Sequence, residues 1–443
     1  MRSSERLRRA GAAVAALATT AVLIGACGDD GEGDQAGTPA RKAGEKVTLR
    51  FWSWVPGVDK AVDLWNQENP DVQVKLENVP ADGAYQKMFS AVKAGNAPDL
   101  AQVEYEQIPG FLLEGALEDL SQYDVAQYQD KFAEWQWAQT VFADKVYAIP
   151  QASGPMAMYY RADLFDRWGI APPETWEEYE QAAREVRDHD AYIATFSPDS
   201  PGWFTGLAWQ AGARWYGYEG DKWVVDVDSP ETRRVAQYWE RLADQKLVKT
   251  EPDFANAWYK DLQDGEIVSW VSAHWGDAIL RGNAPDTAGK WRVAPMPQWD
   301  DASGPVSGNF GGSSTALLKG AKYPEEAIRF AVWLNTDPES VDLLLKGGYG
   351  WPALEDPVGE VPALAEADKF FGGQRYNEVF AEADASVDKD WQWSPTVSAT
   401  NEYLTDGFKA AINGKGSFVD AIVDADKQTV EDLREKGLEA STR

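Results

Sequence analysis

The chain has 443 residues, more than one hydrophobic core usually supports, so two domains are expected. Hydrophobic residues make up 44% and charged residues 26%, which excludes a disordered chain, and 72 Asp and Glu against 42 Lys and Arg leave a net charge of −30. A field of that sign repels nucleic-acid phosphate and anionic head groups, so neither is an expected partner; its plain effect is to keep an exposed protein soluble.

Arg2, Arg6, Arg8 and Arg9 precede an Ala-rich apolar run from Ala10 to Ala26, the layout of a secretory signal peptide over residues 1–26. The run ends in Leu23-Ile24-Gly25-Ala26-Cys27, which resembles a bacterial lipobox, where the Cys thiol takes a diacylglycerol chain and becomes the new N-terminus. The alternative is a chance Cys in a membrane anchor, for which the run is short. Cys27 is the one cysteine, so the exported part has no internal disulfide. Residues 27–46 are rich in Gly and Asp with no apolar period and read as a flexible tether.

Lys46 to Trp54 sets Val47, Leu49 and Phe51 on one face and Thr48, Arg50, Trp52 and Trp54 on the other, which predicts a strand. Val58–Asn66 predicts a helix, Asp71–Val79 a strand and Tyr85–Gly95 a helix; another strand should end at Tyr105, followed by a helix and turn over Ile108–Leu120. This alternation predicts a mainly parallel sheet covered on both faces, with ligands beyond the strands' carboxyl ends, at Trp52–Val55 and Glu104–Gln107. Val146–Pro150 reads as a strand stopped by Pro150, Ser153-Gly154-Pro155 as a loop and Met156–Tyr160 as a second strand. Ala162–Trp168 reads as a helix ended by Gly169, and Thr175 with Glu178 as a capping box opening Trp176–Arg187.

The order Met156-x-x-Tyr159-Tyr160-Arg161, Asp163-Leu164-Phe165, Gly169-Ile170, Pro173-x-Thr175-Trp176 resembles the lobe-crossing segment of the solute-binding proteins of carbohydrate ABC importers, the maltose-binding-like family. Further similarity runs from Val47 to about Ala425. Ala97-Pro98-Asp99-Leu100 to Tyr105 resembles the family's third strand, and Ser269–Asp277 its G-x-W turn. Gly308–Leu317 resembles its second crossover, with a third near Gly347–Ala353. The resemblance implies an α/β, type II periplasmic-binding-protein fold with two interleaved lobes: 47–152 with 311–350, and 153–310 with 351–443. One departure is Ala152, where many relatives place an acidic or other polar residue, so a contact made by that side chain is not carried over.

In the second lobe, Ser229-Pro230 should open a helix through Gln245, Trp291–Pro297 should form a strand, Pro324–Asn335 and Pro338–Lys346 helices, and Thr400–Ile412 and Ser417–Leu433 the last helices.

Enzyme motifs fail. There is no G-x-S-x-G, no H-E-x-x-H and no phosphate-binding loop, and His189 and His274 are the only histidines. Ser90-x-x-Lys93 fits S-x-x-K, but it lies in a helical run without partner motifs. Neither cofactor nor metal is expected. The 21 Trp, 17 Tyr and 16 Phe suit a sugar, whose C–H faces want flat aromatic walls and whose hydroxyl rim wants planar donors and acceptors. Most of these rings must still be core.

By position the candidates are Trp52 and Trp54, of which one is a candidate for burial beneath the other; Glu104 and Tyr105; Gln151 and Met156, the latter alternatively filling a gap; and Trp275 and Asp277, the latter alternatively a helix cap. Gly311 and Gly312 would bring backbone N–H groups to the ligand or serve hinge geometry. Tyr349 and Trp351 lie near the third crossing, Trp203 and Trp209 in the second lobe, and Trp391 and Trp393 would line the cleft or brace the hinge. The implied protein is a monomeric binding protein, not an enzyme, lipid-anchored through Cys27 on the outer face of the cytoplasmic membrane, which closes on a short oligosaccharide and delivers it to permease subunits. The alternatives are a secreted glycoside hydrolase, which would cleave its sugar, and a binding protein for another solute such as a peptide, polyamine or metal ion.

Overall fold

The structure is a computed structural model that describes residues 41–443 except 43, 82 and 303, so the expected signal peptide, Cys27 and most of the expected tether lie outside the described residues. In the first strand, Val47–Ser53, Val47, Leu49 and Phe51 point into the core as their alternation requires. This strand pairs in parallel with Val72–Asn78 on one side and Leu100–Glu104 on the other. Helices Val58–Glu68 and Ala84–Lys93 make the two crossovers. Beyond these pairs the eight-stranded sheet is antiparallel, not mainly parallel. Its order is Ser269–Ala273, Ala148–Arg161, Asn309–Leu317, Leu100–Glu104, Val47–Ser53, Val72–Asn78, with Trp291–Pro295 and Trp351–Pro352 also on Ala148–Arg161. The pattern turns antiparallel because Asn309–Leu317 comes back alongside strands that run outward.

The break expected after Pro150 does not occur: Ala148–Arg161 is one strand of 14 residues. Its first half pairs with Asn309–Leu317, and its second half with Ser269–Ala273 and Trp291–Pro295. Pro150 is tolerated because a register shift there leaves Gln151 without a partner across the ladder, and Trp351–Pro352 pairs only from Ala152 onward. Gly154 is required at the midpoint, since a Cβ would meet the Phe310 carbonyl oxygen at 1.9 Å.

One core cluster gathers Val47, Leu49, Phe51, Ile149, Leu317 and Phe330. Another holds the aromatic layer of Trp176, Tyr179, Trp203, Trp239, Phe408 and Phe418 under helices Trp176–Arg187, Pro230–Asp244, Val397–Ile412 and Phe418–Glu435. A third surrounds Tyr159 with Trp258, Trp270, Trp291, Phe371 and Phe380. Trp176, Trp239, Trp258 and Trp291 are among the largest fully buried side chains, so much of the tryptophan is structural. The capping box forms as its spacing predicts: Glu178 N–H donates to Thr175 Oγ1 at 3.1 Å and Thr175 N–H to Glu178 Oε2 at 3.2 Å. No described helix is long and apolar enough to cross a membrane.

Candidate functional site

A hydrogen-bond relay runs across the carboxyl ends of the strands. Ser53 Oγ and the Trp54 N–H donate to Gln102 Oε1 at 3.0 and 3.3 Å, Gln102 Nε2 donates to Ser313 Oγ at 3.3 Å, and Ser313 Oγ donates to Gln151 Oε1 at 3.1 Å. At its end, Gln151 Nε2 is fully buried yet has no partner among the described residues. A buried amide left this way is destabilising, so the bulge that seats Gln151 holds an unused donor at the junction.

One candidate wall stands beside this relay. The Trp54 ring meets Tyr85 edge-on at 5.7 Å, and Tyr85 Oη donates to Glu104 Oε2 at 2.7 Å. Two residues on, Glu106 accepts from Gln107 Nε2 at 3.0 Å, and Ser398 Oγ of the helix Val397–Ile412 donates to Gln107 Oε1 at 3.2 Å. Glu104 and Glu106 are part-exposed. Burial pushes both carboxyls up; the charge of Glu104 pushes Glu106 further, while the Tyr85 hydroxyl draws Glu104 back. The wall thus alternates rings with acceptors, which suits a polyol.

Trp275 is the candidate for the other wall. It is part-exposed, donates from Nε1 to the Phe310 carbonyl at 3.0 Å, and meets the Phe310 ring at 4.9 Å. Gly311 and Gly312 follow with φ of 83° and 106°. A Cβ on Gly312 would lie 3.0 Å from both the Ala152 carbonyl oxygen and the Tyr105 ring, so glycine there serves close passage of the crossing segments.

The remaining sequence candidates fall elsewhere. Trp52 is 4% exposed, donates to Glu77 Oε2 at 2.9 Å and carries the Lys87 ammonium 4.1 Å over its ring, which places it in a packed layer. Tyr105 is buried, with its hydroxyl 3.3 Å from Gln136 Oε1. Met156 fills the gap between Gly206 and Gly308, its alternative role. Trp203 is buried and donates to the Val271 carbonyl at 2.8 Å. Asp277 lies in the first turn of helix Gly276–Asn283 and accepts from Tyr376 Oη at 2.6 Å, beside Arg281. Trp351 is fully buried, and Tyr349 is buried with an unpartnered hydroxyl.

Trp209, Trp391 and Trp393 form a brace rather than a wall. Trp209 stacks on Trp391 at 4.7 Å and 11°, Trp393 Nε1 donates to Gln139 Oε1 at 2.8 Å, and Gln139 Nε2 donates to the Trp391 carbonyl at 3.0 Å. Beside it Asp384 Oδ1 accepts from Trp135 Nε1 at 3.2 Å and from Gln136 Nε2 and Ser153 Oγ at 3.3 Å, which ties the helix Glu134–Ala138 and the long strand to the helix Tyr376–Ala385.

Sequence reasoning did not single out Tyr85 or Asp384, nor the contact that Phe310 makes with Trp275. Glu106 lay within the Glu104–Gln107 window, since it follows a strand's carboxyl end; the other three carry no local signal. His274 is buried with Nε2 2.9 Å from Asn377 Oδ1. Among the described residues no group of three or more His, Cys, Asp or Glu is placed to hold a metal ion.

Residues 52–340 match the family described as bacterial extracellular solute-binding protein. The chain is 26% identical over 406 residues to the arabinooligosaccharide-binding protein of Halalkalibacterium halodurans, covering 86% of this chain and 88% of that one. Among solved structures, it is similar to the galacto-N-biose/lacto-N-biose I-binding protein of the ABC transporter from Bifidobacterium longum, in complex with lacto-N-biose: 31% identity, 90% of this chain, 100% of that chain and a TM-score of 0.83. It is also similar to an ABC-transporter-associated binding protein from B. animalis subsp. lactis in complex with β-1,6-galactobiose, at 26% identity, 89% and 99% coverage and a TM-score of 0.77.

Proposed function

Because the chain belongs to the bacterial extracellular solute-binding proteins, we propose that it captures a short carbohydrate between two α/β lobes and delivers it to the permease subunits of an ABC importer. It is a binding protein and makes or breaks no bond. The observation that carries this reading is the 14-residue strand Ala148–Arg161, shared between two sets of partner strands, with the part-exposed Trp275 and Trp54 near the sheet's junction. A strand passing once between two halves, beside two more crossings, is a hinge, and the ligand's differential contacts favour the closed state. In this reading one lobe is 47–152 with 311–350 and the other 153–310 with 351–443. The protein acts as a monomer outside the cytoplasmic membrane, anchored through a lipid on Cys27 by the tether 27–46.

Trp54, Glu104, Gln151, Trp275 and the backbone of Gly311 and Gly312 form the ligand set, joined by Tyr85, Glu106 and Phe310. Rings cover sugar faces, carboxylate oxygens accept hydrogen bonds from hydroxyls, and the unpartnered Gln151 amide is a donor at the junction. An affinity in the micromolar range, about −8 kcal/mol, is expected from a few stacked rings and hydrogen bonds. The test is a tryptophan-fluorescence and calorimetry screen of the purified protein against mono- and oligosaccharides. Saturable binding with the sugar recovered intact supports the reading; consumption of the sugar by the protein alone refutes it.

A further inference from the structure

Six non-glycine residues among those described have a left-handed φ. Asp124, Ala143, Asp144, Asp190 and Lys246 are small or polar; the sixth is Phe254, at φ 56°. For a bulky aromatic this backbone is an outlier. Phe254 is also 37% exposed, one of three exposed large hydrophobic residues among those described, with Leu113 and Tyr218. Core packing alone does not explain a strained residue that leaves more than a third of its surface exposed.

The strain is imposed from behind. The Asp253 N–H donates to Ser197 Oγ at 3.2 Å, and the Asp253 carboxylate accepts from Ser197 Oγ at 2.8 Å and Ser200 Oγ at 2.6 Å. Asp253 is thereby clamped to the segment that enters the helix Pro201–Gln210, and the next residue must turn sharply. In front, the Phe254 ring rests 5.5 Å from Trp258 and 6.1 Å from Trp270 and Trp275. Phe254 and Phe310 therefore both pack against Trp275, the ring on the second wall of the site.

We propose that Phe254 is a specificity-determining residue of the carbohydrate site, a ring held out in a strained turn so that its free face covers the C–H face of a pyranose beside Trp275. The proposal rests on the carbohydrate-binding reading above. The clamp fixes the ring before the ligand arrives, so stacking is gained without the cost of ordering a mobile side chain.

The test is calorimetric titration of the purified protein and its variants with lactose, lacto-N-biose, β-1,6-galactobiose and arabinobiose. For whichever sugar the unmodified protein binds, Phe254→Ala and Phe254→Gly should each weaken binding about tenfold and Phe254→Tyr should stay within about threefold. Thermal melts should rank Phe254→Gly at or above Phe254→Ala, because glycine takes a positive φ freely. An Ala variant that binds as tightly as the unmodified protein overturns the inference and leaves the carbohydrate reading standing. An unmodified protein that binds neither these four nor any sugar of the wider mono- and oligosaccharide screen overturns both. An Ala variant melting clearly above the Gly variant removes the strain and overturns the inference too.

Discussion

Replacing Asp384 with Asn removes a carboxyl from a place where ionisation is unfavourable. The residue is 8% exposed. Burial raises its pKa from 3.8 to about 7, even though Trp135, Ser153 and Gln136 donate hydrogen bonds that pull it down. The folded state therefore holds a proton that the unfolded state gives up near pH 4. Stability from this group is fully present below the unfolded value of 3.8 and is lost as pH rises through about 7. The gap between 3.8 and about 7 corresponds to about 4 kcal/mol. Asn keeps the Oδ1 acceptor for Trp135, Gln136 and Ser153 and cannot ionise. Urea denaturation followed by tryptophan fluorescence should show Asp384→Asn gaining on the unmodified protein by about 4 kcal/mol between about pH 4 and about pH 8. Taking the difference between the two proteins at each pH cancels the titration of Glu104, Glu106 and every other shared group. A stability difference that stays constant over that range, within about 1 kcal/mol, would refute the claim that Asp384 is held protonated by its surroundings.

Other substitutions test the walls, the crossing and the scaffold. Gly312→Ala puts a Cβ 3.0 Å from the Ala152 carbonyl oxygen and the Tyr105 ring at φ 106°, and should lower stability by about 2 kcal/mol or more in the same denaturation assay. Trp275→Ala should weaken binding of the best sugar about tenfold by calorimetry. Trp52→Ala, by contrast, empties a packed site and should cost about 3 kcal/mol of stability or more, with the smaller effect on affinity once folding is corrected for. Thr175→Ala loses the cap that accepts from Glu178 N–H and should cost about 1 kcal/mol without changing the affinity for sugar.

Local elements were legible wherever the signal is local. Trp176–Arg187 begins where Thr175 and Glu178 can satisfy each other's backbone donors, and Ala162–Trp168 ends where Gly169 takes a positive φ of 73°. The first strand's alternation placed Val47, Leu49 and Phe51 inward, but it assigned Trp52 and Trp54 to one outer face. Periodicity reports which residues share a side of a strand. It does not report that Val72–Asn78 and helix Ala84–Lys93 bring Glu77 and Lys87 over Trp52 while Trp54, one residue beyond the strand, stays part-exposed.

Pro150 shows the same limit from the other direction. Lack of an N–H reads locally as a stop, and only the register slip against Asn309–Leu317 makes room for it inside a continuous strand. The sequence by itself determined most of the secondary-structure elements, the resemblance to the family and the abundance of aromatic rings, because caps, turns and alternation act over a few residues. Tertiary structure alone decided which rings are buried and which stay part-exposed, and it set Phe254 and Phe310 against Trp275 from positions 254, 310 and 275. That choice depends on which distant segments close over a side chain, and no stretch of a few residues encodes it.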